Sequence, residues 1–123
     1  MIVLARACSV FVCAVFSACT SHEGYEPEVR GGDAERGRRA LATLECGACH
    51  VIPGVPGAHS RVGPPLVEFS RNVYIAGKHP NVPEVLLQFV RDAPSLAPDT
   101  AMPAIEMTDQ QALDIAAYLY SLK

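Results

Sequence analysis

From Ile2 to Cys19 nearly every position is apolar, and Arg6 is the sole charge in that block. Residues 20–32 are polar and show no period. A helical period starts at Asp33, an N-cap residue, and runs through Ala34, Gly37, Ala40, Leu41 and Leu44 into Cys46. Residues 51–66 are rich in Pro and Gly and predict loop, and Glu68 to Ala76 is short and ambiguous. Pro83-Glu84 opens a second helix with Val85, Leu86, Phe89 and Val90 on one stripe, ending before Pro94. Residues 93–106, broken by Pro94, Pro98 and Pro103, predict loop again. Thr108-Asp109-Gln110-Gln111 has the form of a capping box and starts a last helix through Leu113, Ile115, Ala116, Ala117, Tyr118 and Leu119. No segment alternates convincingly as a strand, and there is no internal repeat. The expectation is an all-α body of three main helices joined by long loops. Long irregular loops in so small a domain need something to pack on.

The first apolar block is too short and too broken for a transmembrane helix, which needs ~20 apolar residues. It has the proportions of a signal peptide. Its end, Phe16-Ser17-Ala18-Cys19, resembles a bacterial lipoprotein box, with Phe16 where Leu is usual. The expected organisation is therefore a signal peptide over 1–18, a lipidated Cys19 with a flexible tether over 19–32, and a folded domain over 33–123. Simple cleavage near Ala18 and a retained anchor are the alternatives. Each of the three delivers the domain to the periplasmic side of a bacterial envelope. The tether, fully extended, reaches at most about 45 Å.

The length of 123 residues allows one domain. Without the leader, the remaining core is marginal by itself, and a large buried cofactor would make up the deficit. The net charge of −3 comes with no basic stripe, which excludes a nucleic-acid footprint. Arg36, Arg38 and Arg39 are interleaved with Asp33, Glu35 and Glu45 and read as a solvated helix face.

Of the five cysteines, Cys8, Cys13 and Cys19 lie in the leader, and Cys46 and Cys49 form the one C-x-x-C. The run Cys46-Gly47-Ala48-Cys49-His50 is the haem c attachment signature. Two thiols three residues apart reach the two vinyl groups of one porphyrin, and the next residue, His50, becomes the proximal iron ligand. A thioredoxin-type motif would want a preceding strand, and a zinc site would want four ligands. For the sixth position on iron, Met102 in the Pro-flanked Ala101-Met102-Pro103 loop is favoured over Met107, which is placed to staple the last helix. His59 and His79 are weaker alternatives.

Four features in order resemble class I cytochromes c, the monohaem, His/Met-ligated type, over about residues 33 to 123. They are the helix into Cys46-x-x-Cys49-His50, then Val62-Gly63-Pro64-Pro65-Leu66, then Ala101-Met102-Pro103, then Ala116-Ala117-Tyr118-Leu119 in the final helix. The resemblance implies the cytochrome c fold, wrapped around one covalent haem c. It implies that the Pro64 carbonyl accepts from His50 Nδ1, and that Gly37 or Ala40 meets Tyr118 where the terminal helices cross. It also suggests Arg61, Tyr74 and Asn81 as partners for the haem propionates.

With His50 and Met102 both on iron there is no open site for substrate. The expectation is thus a one-electron carrier and not an enzyme. It would be a monomer, taking electrons from a quinol-oxidising complex and passing them to a terminal oxidase or reductase. The alternatives are a haem-bearing subunit of a larger oxidase or dehydrogenase, and a haem domain with an open sixth site acting as enzyme or gas sensor. Any basic docking patch is local: Arg61, Arg71 and Lys78.

Overall fold

The computed structural model describes residues 27–123. The leader over 1–18, Cys19 and tether residues 20–26 lie outside them. Helix α1 spans Ala34–Thr43, and the Asp33 side chain accepts from the Arg36 backbone N–H at 2.7 Å, as the sequence predicts for an N-cap. Its buried residues, Gly37, Ala40 and Leu41, form one stripe three to four positions apart. The last helix, α4, spans Asp109–Ser121 and has both arms of its capping box: Gln111 N–H donates to Thr108 Oγ1 at 3.1 Å, and Thr108 N–H donates to Gln111 Oε1 at 2.8 Å. It is buried through Ala112, Ile115, Ala116, Tyr118 and Leu119.

These two helices make the most extensive contact in the fold. Gly37 is the reason they come so close, because a Cβ there would run into the α4 backbone at Asp114. The crossing thus falls one turn earlier on α4 than the expected partner Tyr118. Tyr118 turns instead to the loop after the cysteines and donates its hydroxyl to the Pro53 carbonyl. Arg36 is exposed, as expected of a solvated face, and from there its guanidinium pairs with Asp114, which is 4 % exposed.

Helix α2 spans Pro83–Arg91 and buries Leu86 and Val90. A further single turn, α3, spans Ala93–Leu96, where the sequence predicts only loop. The Asp92 side chain caps it by accepting from Ser95 N–H, and Pro94 is tolerated because the first turn of a helix has no backbone acceptor for its missing N–H. A small antiparallel hairpin pairs β1, Tyr74–Ile75, with β2, His79–Pro80. Strands of two residues are too short to show an alternating pattern, so the sequence carried no strand signal. Ala76 and Gly77 turn the chain between them with φ of 50° and 69°. The core runs through Leu41, Ile52, Val55, Phe69, Ile75, Leu86, Ile115, Leu119 and Tyr120 as one cluster. The architecture is helical with long loops, as expected.

The chain just ahead of Asp33 also packs. Val29 lies against the core, and the Gly31 carbonyl accepts from Gln110 Nε2 at 2.8 Å.

Candidate functional site

The site begins where α1 stops. Glu45 takes a left-handed conformation with φ 55°, which breaks the helix. The chain then closes one 3₁₀ turn over Cys46–Ala48. The backbone N–H groups of Cys49 and His50 both donate to the Cys46 carbonyl, at 3.2 and 3.1 Å. That single acceptor folds the two thiols and the imidazole into one tight turn. A Cβ at Gly47 would overlap Ala58, so the turn sits directly on the following loop. Cys46 is half-buried, Cys49 is exposed, and neither is in a disulfide. Burial pushes the Cys46 thiol up. Among the described residues, no three His, Cys, Asp or Glu side chains converge on a metal-binding point.

His50 is clamped on two sides. Its Nδ1 lies 2.7 Å from the Pro64 carbonyl oxygen. A carbonyl only accepts, so Nδ1 carries the proton and Nε2 keeps its lone pair for a metal. A Cβ at Gly63 would enter the imidazole ring, so the backbone at Gly63 lies close against it. That strip is fastened to the motif by Gly63 N–H to the Cys49 carbonyl at 2.7 Å and by Leu66 N–H to the Val51 carbonyl at 2.9 Å. The sequence pointed to Pro64, whereas the role of Gly63 emerges only from the approach of its backbone.

Met102 is half-buried in the loop between α3 and α4, and its N–H donates to Thr100 Oγ1 at 3.2 Å. Met107 packs against the core cluster, the place expected of a staple. The loop is closed at its base by the Asp92–Ala104 bridge and by Ile105 N–H donating to the Arg91 carbonyl. Arg61 is exposed and borders an open hollow of about 650 Å³ whose other walls are Val51, the Val62–Pro65 strip and Val67. Tyr74 is exposed, as are Val62 and Val73. Asn81 is engaged inside the protein: its amide donates to the Asn72 carbonyl at 2.8 Å and accepts from the Tyr120 hydroxyl at 3.0 Å. His79 Nε2 is bonded to the Leu96 carbonyl at 2.8 Å, and His59 is exposed. Arg71 is paired with Glu68 at 2.6 Å, which leaves Arg61 and Lys78 as the stronger cations of the expected patch.

Two thiols one turn apart, one imidazole nitrogen held ready for a metal, and exposed apolar side chains beside them fit a covalent haem. A family model described as cytochrome c matches residues 34–123. Cytochrome c oxidase subunit 2 of Alkalihalophilus pseudofirmus is 34% identical over 91 residues, which is 73% of this chain and 26% of that protein. The chain thus spans about a quarter of the length of that relative. The crystal structure of cytochrome c2 from Rhodobacter sphaeroides has a TM-score of 0.53 at 22% identity, covering 74% of this chain and 96% of that one.

Proposed function

The chain belongs to the cytochrome c family and carries one covalent haem c, and from that premise we propose that it is a six-coordinate respiratory electron carrier with His50 and Met102 on iron. When bound, the haem supplies an iron that changes by one electron. Cys46 and Cys49 hold it by thioethers. The Pro64 carbonyl fixes the tautomer and plane of His50 and raises its basicity as a ligand. Met102 offers a neutral thioether, which favours the ferrous state. With His50 and Met102 both holding the iron, substrate turnover at the metal would have no place to occur. The observation that carries this reading is the clamp on His50, which leaves Nε2 as its metal-binding nitrogen.

The likeness to an oxidase subunit favours a terminal oxidase as acceptor, with a quinol-oxidising complex as donor, and it equally supports a fixed head within such a complex. Co-purification in a fixed ratio with one complex would establish the subunit; a monomer free of it would establish the carrier. The leader supports a periplasmic location with a lipid on Cys19. No helix among the described residues is long and apolar enough to cross a membrane. Val29 packs against the core, so at most residues 20–28 can serve as a tether, with a reach of at most about 30 Å. Arg61 and Tyr74 are the proposed propionate partners, since buried carboxylates need donors.

The test is a redox-resolved spectrum of mature protein. The expected ferric form is low-spin with the methionine–iron charge-transfer band. A high-spin form that binds CO readily at neutral pH overturns the proposal.

A further inference from the structure

His79 reaches out of the hairpin to the last residue of α3. Its Nε2 is 2.8 Å from the Leu96 carbonyl oxygen, and the contact is partly buried. That carbonyl ends a one-turn helix, so no further turn can satisfy it from within. Since it can only accept, Nε2 carries the proton. Beyond Leu96 the chain descends to Met102 through short hydrogen-bonded turns. Thr100 N–H donates to the Ala97 carbonyl at 2.9 Å, and Met102 N–H donates to Thr100 Oγ1 at 3.2 Å. The ties at the base of this loop, Asp92 with Ala104 and Ile105 with Arg91, come from the same α2–α3 segment. His79 adds one from a different part of the fold.

We infer that His79 is a positioning residue for the sixth ligand: by holding the Leu96 carbonyl it fastens the α3 end of the Met102 loop to the hairpin and keeps the thioether from leaving iron. The inference rests on Met102 being that ligand. A loop that must hold a weak thioether gains from any bond present only in the closed arrangement, because such a bond shifts the population towards it.

The experiment uses ferric holoprotein titrated with imidazole, which binds iron only when the thioether is away. Removing one neutral hydrogen bond is expected to make imidazole bind about fivefold more tightly in His79→Leu. His79→Gln, whose amide can donate from a similar position, restores most of the wild-type value. His79→Val replaces the leucine variant if that one does not fold. Ser70→Ala is the control: it removes the Ser70 Oγ bond to the Leu122 carbonyl, far from the loop in sequence, and leaves imidazole affinity unchanged. Equal affinities in wild type and His79→Leu overturn the inference, as does an equal shift in Ser70→Ala. Failure of the ligand reading looks different: Met102→Ala would then bind imidazole no more tightly than wild type.

Discussion

Arg36 on α1 and Asp114 on α4 meet fork to fork, with Nε on Oδ2 and Nη2 on Oδ1, both at 2.8 Å. The same carboxylate accepts the Asp33 N–H at 2.8 Å and Gln110 Nε2 at 2.9 Å. A charge on the buried face of α4 is thereby fully bonded, as a buried charge must be. The Arg36 guanidinium and the other donors hold its carboxyl down at about 2.

Replacing Asp114 by Asn keeps the shape and removes the charge. The loss expected is about 2 kcal/mol, read from urea unfolding of the holoprotein. The sign of the pH effect follows from the lowered value. Asp114 adds its stability in full above the ordinary carboxylate value of 3.8 and loses it as pH falls towards about 2. Wild type should therefore weaken more steeply than Asp114→Asn between pH 4 and pH 2.

Gly37→Ala should cost about 3 kcal/mol, because the added methyl meets backbone that cannot swing aside. Gly57→Ala is the comparison. Gly57 has φ 76° and open space around its Cβ position, so only the conformational penalty of about 1 kcal/mol applies. Thermal unfolding of both variants separates steric from backbone cost. Equal shifts would mean that the helix crossing is looser than the structure shows.

Cys49→Ala should yield no stable holoprotein on export, whereas wild type should keep its haem through denaturation and acid extraction. A wild-type chain that releases haem to acidic solvent is not thioether-linked.

The two methionines should fail in opposite ways. Met102→Ala keeps the haem and most of the stability, loses the charge-transfer band and lowers the potential. Met107→Ala keeps the band and loses about 2 kcal/mol of stability, since Met107 packs on the core. Loss of the band in Met107→Ala would reverse the assignment.

What was readable in the sequence was local chemistry. The Asp33 cap, the Thr108–Gln111 box and the Cys46-to-His50 signature each need only neighbours within a few positions. The α3 turn was hidden because three prolines in its region read as loop, and only the Asp92 cap marks its start. The hairpin offered two residues per strand and an alanine in a glycine's conformation. Asp114 was invisible for another reason. Its partner Arg36 is 78 positions away, and nothing local distinguishes a buried acid on α4 from a surface one. The same holds for Gly63, whose value lies in how closely His50 approaches it.

The packing of residues 29–32 along α4 also sets a load path. A pull applied from ahead of residue 27 is taken up first by Val29 and the Gly31–Gln110 bond, then by the Arg36–Asp114 fork. That load falls on the contact between α1 and α4 before it reaches Cys46, which follows α1 in the chain. The terminal helices, and not the turn that carries His50, are thus the first contacts such a pull must break.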